Sequence, residues 1–161
     1  MNRVSSNEDK IDIYSREVLI TRDEINYRIE QLGREISQDY QGRELHLVGV
    51  LNGAFIFLAD LVRHLSIPCQ ICFLQASSYK DQQVSTGNVI LMHNLDLSGK
   101  NVLVVEDIFD TGLTLQHIKE DLNMQKPASL EICALLNKRI TNKASINVKY
   151  IGFEIEDLFV V

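Results

Sequence analysis

Three acids and two threonines lie within the nine-residue segment EDIFDTGLT, which runs from Glu106 to Thr114 and follows the apolar run VLVV at 102–105. The N–H groups and the dipole at a helix N-terminus attract anions. Gly112 allows a backbone to approach closely, and the hydroxyls of Thr111 and Thr114 can add hydrogen bonds. The segment is therefore predicted to form a phosphate-binding turn between a buried strand and a helix.

The acids Glu106, Asp107 and Asp110 suit a sugar or a base beside that phosphate. Carboxylates accept hydrogen bonds from sugar hydroxyls and can accept a proton from a reacting base. The alternative is that Asp110 caps the helix and the other two acids are solvated. A cap is worth about 1 kcal/mol and needs only one acid, whereas gathering two more at the end of a buried strand is costly without a ligand. The pattern favours the binding site.

Elements that could position these residues alternate along the chain. Thr21 and Glu24 form a capping box before an apolar stripe. Helices are predicted over 21–40, over 54–65 and from Thr111 onward, strands over 45–51, 67–74, 89–92, 102–105 and 129–136, and short β-like pieces from Val148. Such alternation predicts an α/β fold with a mostly parallel sheet flanked by helices. Ligands of such sheets bind beyond the carboxyl ends of the strands.

Composition limits the compartment and the partners. The 161 residues are the size of one domain, and the net charge of −6 opposes nonspecific nucleic-acid binding. No apolar run is long enough for a transmembrane helix, and the polar start has no secretory signal, so no membrane partner and a cytoplasmic location are expected. The odd number of cysteines, 3, argues against a disulfide framework. Cys69 and Cys72 are predicted to be buried strand residues.

The run VVEDIFDTGLT closely resembles the signature of type I phosphoribosyltransferases, which bind 5-phosphoribosyl 1-pyrophosphate (PRPP). The resemblance extends over most of the chain and narrows to the hypoxanthine-guanine branch. It implies a Rossmann-like sheet with a small hood formed by the N- and C-terminal segments. It also implies a single domain over residues 1–161 in which the hood is incomplete.

The resemblance assigns roles within the signature. Glu106 and Asp107 are implied to bind the ribose 2′- and 3′-hydroxyls and to hold Mg²⁺ directly or through those hydroxyls and water. Asp110 is implied to lie near purine N7, in contact with PRPP, as the general base. The 5′-phosphate is implied to be bound by Thr111, Gly112, Leu113 and Thr114. Leu113 stands where many members carry lysine, a change that leaves the backbone contacts intact.

Two further motifs match the pyrophosphate side of the family site. Leu51, Asn52 and Gly53 resemble the pyrophosphate loop, which commonly contains a non-proline cis peptide, here Leu51–Asn52. Asn52 replaces the frequent lysine or arginine, and a plain strand-to-helix turn is the alternative. Ser78 and Tyr79, before a long polar segment, resemble the lid that excludes water from the reacting sugar.

Two motifs match the purine side. Lys138 resembles the family's lysine that contacts purine O6. Arg139 is implied either to contact pyrophosphate or to hold other residues of the site without touching the substrate. An ammonium at O6 selects a 6-oxopurine, because it and the amino group of adenine are both donors. Phe159 is implied to stack on the base, and Val160 to offer backbone groups to the ring edge. An ordinary basic pair and a buried aromatic are the alternatives.

The match stops at Val161. Family members continue through a Gly-Tyr turn to a Leu-Asp pair and an arginine. That aspartate helps to hold Mg²⁺, and the arginine lies near pyrophosphate. We therefore expect the natural protein to continue beyond this residue; a natural truncation with weakened function is the alternative.

The resemblance implies purine salvage. A Mg²⁺-dependent enzyme would join hypoxanthine or guanine to the phosphoribosyl group of PRPP and give IMP or GMP and pyrophosphate. It would assemble as a homodimer or homotetramer. Two alternatives remain open: a PRPP- or nucleotide-binding regulator on the same fold, and a phosphoribosyltransferase for another base such as xanthine or adenine. Lys138 argues against adenine.

Overall fold

The computed structural model describes residues 18–78, 89–92, 95–140, 144–158 and 160. Its helices are α1 (Arg22–Asp39), α2 (Phe55–Val62) and α3 (Leu113–Met124). Its strands are β1 (Leu45–Leu51), β2 (Cys69–Ser78), β3 (Val89–Met92), β4 (Asn101–Phe109), β5 (Ser129–Lys138) and β6 (Tyr150–Ile155). The N-terminal part of the expected hood, residues 1–17, lies outside the described residues. None of the three described helices has the length and hydropathy needed to span a bilayer.

All six strands form one sheet in the order β3-β2-β1-β4-β5-β6. The pairs β1–β2, β1–β4, β4–β5 and β5–β6 are parallel, and β3 alone runs antiparallel, beside β2. The predicted α/β fold with a mostly parallel sheet is confirmed. The carboxyl ends of β1 and β4 lie side by side at its centre, which is where two of the sequence motifs begin.

Two cores cover the two faces of this sheet. Residues of α1 and α2 pack with Leu47 and Leu103 on one face, and residues of α3 pack with Val48 and Val104 on the other. Successive strand side chains point to opposite faces, so a central strand between two helical layers must be apolar at every position. This explains the continuous apolar run in β4.

Hydrogen bonds stabilise the long helix α1 at its N-terminus and also join it to the sheet. Glu24 N–H donates to Thr21 Oγ1 at 3.3 Å, and Thr21 N–H donates to Glu24 Oε2 at 2.8 Å, which confirms the predicted capping box. Arg28 donates from Nε to Gly152 O at 3.0 Å and from Nη2 to Ile151 O at 2.7 Å. These bonds tie α1 to β6, one of the two edge strands of the sheet.

The end of β4 and the start of α3 both differ from prediction. β4 continues to Phe109 because its pairing with β5 continues to Asn137, so Glu106 and Asp107 are strand residues. The third helix begins at Leu113 rather than Thr111. Its N-cap is Gly112, with no side-chain capping bond, so Asp110 is not the cap. The alternative explanation of Asp110 as a helix cap is therefore wrong.

The three cysteines are free, as predicted. Cys133 is fully buried, whereas Cys69 and Cys72 are only half-buried on β2. The prediction of buried strand cysteines holds for the strand and only partly for the burial, because both faces of the first residues of β2 are accessible, as the exposed Gln70 and Ile71 show.

Candidate active site

A cavity of about 250 Å³ opens at the carboxyl ends of β1 and β4. Residues from both motifs line it: Leu51, Glu106, Asp110, Thr111, Gly112 and Thr114. The fold thus brings the proposed pyrophosphate loop and the signature turn, which are more than 50 residues apart in the chain, to one cleft. Its position agrees with the rule that ligands of parallel sheets bind beyond the strand ends.

The turn before α3 depends on Gly112. Its φ of 83° lies in the left-handed region, which side chains disfavour. A Cβ on this residue would lie 2.4 Å from Cε2 of Phe109 and 3.2 Å from Cβ of Ala144. The N–H of Ala144 donates to the carbonyl of Thr111 at 2.8 Å. The turn is therefore fixed from both sides, and the first N–H groups of α3, which have no acceptor inside the helix, belong to the segment that lines the cleft.

Glu106 lines the cleft and is buried, with 9% of the residue exposed. Burial raises the pKa of Glu106 to about 9, and the neighbouring carboxyl of Asp107 adds to the rise. The N–H of Asp107 donates to Glu106 Oε1 at 3.3 Å. Because like charges disfavour each other here, a cation or a row of hydroxyl donors would suit this pair.

Carboxylate oxygens are the ligands that Mg²⁺ prefers, and it usually keeps waters and substrate phosphate oxygens as its other ligands. Within the described ranges, no group of three or more His, Cys, Asp or Glu side chains is placed to hold a metal ion. The two adjacent acids, Glu106 and Asp107, suit a metal ion that takes its other ligands from a substrate and from water.

The turn after β1 lies against Asp107. The Leu51–Asn52 peptide bond is cis, as the family resemblance implied. A Cβ on Gly53 would lie 2.5 Å from Oδ2 of Asp107, so a side chain at this position would have to displace that carboxyl or the loop. The loop after β1 and the carboxyl of Asp107 are therefore close neighbours.

Lys138 reaches the same region from the end of β5. Its Nζ lies 3.5 Å from Oδ2 of Asp110 and 3.4 Å from Oδ1 of Asp157. Its side chain is 11% exposed, whereas those of Asp110 and Asp157 are 50% and 69% exposed. Asp157 was not singled out from the sequence, because no motif marks it and its contact depends on the pairing of β5 with β6.

Arg139 lies outside the cleft. Its Nε lies 3.0 Å from Oε2 of Glu154 and its Nη1 lies 3.4 Å from Oε1 of Glu156. Both glutamates raise the pKa of Arg139, with the Glu154 hydrogen bond as the largest cause. The structure does not bring Arg139 to Glu106 or Asp110.

The remaining predicted site residues are described only in part. Ser78 is the last residue of β2, and Val160 is half-buried. Tyr79 and Phe159 lie outside the described residues, so the lid and the stacking aromatic stay predictions.

Comparison with known proteins agrees with this arrangement. The model of the phosphoribosyl transferase domain family matches residues 21–161. A hypoxanthine phosphoribosyltransferase of Haemophilus influenzae is 41% identical over 150 residues, which cover 90% of this chain and 84% of that protein. A hypoxanthine-guanine phosphoribosyltransferase of Dictyostelium discoideum is 43% identical over 153 residues, which cover 91% of this chain and 85% of that protein.

Solved structures give the same result. The crystal structure of a hypoxanthine-guanine phosphoribosyltransferase from Bacillus anthracis superposes with a TM-score of 0.81 at 39% identity, over 87% of this chain and 84% of that one. A hypoxanthine phosphoribosyltransferase from Staphylococcus aureus gives 0.82 at 40% identity, over 88% and 78%. The shared sheet, the cleft at its carboxyl edge and these matches place the chain in the phosphoribosyltransferase family, in its hypoxanthine-guanine branch.

Proposed function

We propose that the chain transfers the 5-phosphoribosyl group of PRPP to hypoxanthine or guanine, giving IMP or GMP and pyrophosphate. The observation that supports this most directly is the ion pair beside the signature turn, in which Lys138 Nζ lies 3.5 Å from Asp110 Oδ2. A carboxylate and an ammonium at this spacing match two neighbouring atoms of a 6-oxopurine, the N7 proton and the O6 acceptor.

On the PRPP side, the turn at Thr111–Thr114 binds the 5′-phosphate through backbone N–H groups and hydroxyls, because the start of α3 attracts an anion. Leu113 contributes its backbone only, and the residue is 58% exposed. Glu106 and Asp107 accept hydrogen bonds from the ribose hydroxyls. Leu51, Asn52 and Gly53 present backbone groups to the pyrophosphate.

Mg²⁺, held by Glu106 and Asp107 directly or through ribose hydroxyls and water, would neutralise the charge of the pyrophosphate leaving group. The C1′–O bond to pyrophosphate breaks as N9 of the purine attacks C1′ from the opposite face. Asp110 takes the N7 proton, so that the purine gains no positive charge. Positioning and fixed charges supply most of the rate acceleration, since no covalent intermediate with the protein is needed.

On the purine side, Lys138 donates to O6, Phe159 stacks on the ring, and Val160 offers backbone groups to the ring edge. Adenine would place an amino donor against the ammonium and is rejected. Arg139 forms ion pairs with Glu154 and Glu156, which favours a structural role next to the site over contact with pyrophosphate. Ser78 and Tyr79 belong to a lid that excludes water.

A turnover assay tests the proposal. The purified chain is incubated with PRPP and Mg²⁺ and, in parallel, with hypoxanthine, guanine, xanthine or adenine, and the nucleotide product is quantified. Product from hypoxanthine or guanine, and none from adenine, is expected. PRPP binding by calorimetry without any product would instead support a regulatory protein. Light scattering of the same sample tests the homodimer or homotetramer that the family resemblance implies.

A further inference from the structure

The ammonium of Lys138 lies between two carboxylates that belong to different parts of the chain. Oδ2 of Asp110, beyond β4, is 3.5 Å from Nζ, and Oδ1 of Asp157, beyond β6, is 3.4 Å from it. Lys138 itself is buried. The cation therefore lies next to Asp110, a residue that lines the cleft, and the two acids approach it from the strands on either side of β5 in the sheet order β4-β5-β6.

Backbone pairing determines that Asp157 reaches Lys138. The parallel register pairs Lys138 with Ile155, and the N–H of Arg139 donates to the carbonyl of Ile155 at 2.8 Å. Immediately after the strand, the N–H of Leu158 donates to the carbonyl of Glu156 at 2.8 Å. This bond closes a three-residue turn with Asp157 at its centre, beside the end of β5.

The two acids differ in what they can do when a purine is bound. In the proposed reaction Asp110 must turn to N7, and O6 must approach the ammonium of Lys138. Neither N7 nor O6 of the purine needs a contact with the Asp157 carboxylate. That carboxylate can therefore keep its ion pair with the Lys138 ammonium while Asp110 accepts the N7 proton. A lysine side chain is long and flexible and must be fixed if it is to select one acceptor.

We propose that Asp157 is a positioning residue of the base pocket, whose carboxylate holds the Lys138 ammonium at the site of purine O6. This inference rests on the proposed function and adds to it a residue that recognises the base indirectly. Because Asp157 is 69% exposed, its ion pair is screened by water. The effect expected from such a pair is a change of about two- to fivefold in affinity for the base.

The test compares three variants of the intact chain: Asp157→Asn, Asp157→Glu and, as the matched control, Asp60→Asn. Asp60 makes an ion pair with Arg63 at 3.0 Å on α2 and has no place in the proposed site. For each protein, kcat and the KM values for hypoxanthine and for PRPP are measured at low and at high salt.

Asp157→Asn should raise the KM for hypoxanthine about two- to fivefold, with the KM for PRPP and kcat changed less than about twofold. The difference from wild type should shrink in about 0.5 M salt, because salt screens an exposed ion pair. Asp157→Glu should recover much of the affinity, and Asp60→Asn should match wild type.

Two results would overturn the inference while leaving the activity in place: an Asp157→Asn enzyme with the KM values of the control, or one in which both KM values rise together, which indicates general disruption. A wild-type protein without turnover would instead overturn the proposed function, and the positioning role would be lost with it.

Discussion

Gly53 and Asp107 approach each other so closely that a single methyl group on Gly53 would lie 2.6 Å from the carboxyl carbon of Asp107. Gly53 belongs to the loop after β1, and Asp107 belongs to β4, its neighbour in the sheet. The absent side chain is therefore what allows the proposed pyrophosphate and ribose contacts to share one small cleft.

Gly53→Ala should displace either this loop or the Asp107 carboxylate and weaken PRPP binding by about 10- to 100-fold, since small displacements of binding groups cost that much. Calorimetric titration with PRPP and Mg²⁺ measures the effect. Gly33→Ala is the control, because a Cβ there would lie 2.6 Å from Cβ of His64, between α1 and the segment after α2. The control should lose stability and keep its PRPP affinity; equal losses of affinity in both variants would contradict the proposed role of Gly53.

Burial of Glu106 should make the stability of the metal-free protein depend on pH. The pKa of Glu106 is raised from 4.5 to about 9, mainly by burial and additionally by the neighbouring Asp107. The folded state therefore binds the proton more tightly than the unfolded state, so this contribution to stability is complete below about pH 4.5 and is lost as pH rises toward about 9. Unfolding by urea in the presence of a chelator, from pH 5 to 9, measures the trend.

Glu106→Gln removes the titration and keeps the shape of the side chain. The variant should gain stability over wild type as pH rises, by on the order of 2 kcal/mol more at pH 8 than at pH 5. Glu30→Gln is the control and should follow the wild-type profile, because Glu30 has a side chain that is 44% exposed and forms an ion pair with Arg34 on α1. A constant difference between Glu106→Gln and wild type across this range would show that Glu106 is ionised in the folded protein.

Local patterns in the sequence predicted the sheet, the capping box at Thr21 and the segments that line the cleft, because hydrophobic periodicity and turn chemistry are local properties. They did not predict that β4 runs on to Phe109, since two acids normally end an apolar strand and only the pairing with β5 prolongs it. Nor did they indicate Asp157, whose contact with Lys138 depends on the register of β5 and β6.

Asp110→Asn should lower kcat by about 100-fold or more, as expected when a general base is removed. PRPP affinity should change little, because an amide has nearly the same size and keeps an acceptor oxygen. Single-turnover product formation and calorimetry with PRPP measure the two quantities separately. Asp60→Asn serves as the control for the loss of one carboxylate. Equal turnover in Asp110→Asn and wild type would exclude Asp110 as the base.

Gly112→Ala should destabilise the protein through backbone strain and through a steric clash. A substitution at Gly42 measures the backbone strain by itself. The φ of 83° is strained for alanine, and the new Cβ would lie 2.4 Å from Cε2 of Phe109. Gly42 has a similar φ of 74°, and a Cβ on it would meet nothing within 4 Å, so Gly42→Ala carries only the backbone cost, about 1–2 kcal/mol.

Both variants should therefore lose stability in urea unfolding, and Gly112→Ala should lose more. Only Gly112→Ala should also weaken PRPP binding, by about tenfold or more, because its steric clash moves the turn that binds the 5′-phosphate. If the two variants bound PRPP equally well, the turn from Thr111 to Thr114 would not be the phosphate site, and the 5′-phosphate would have to be held elsewhere in the cleft.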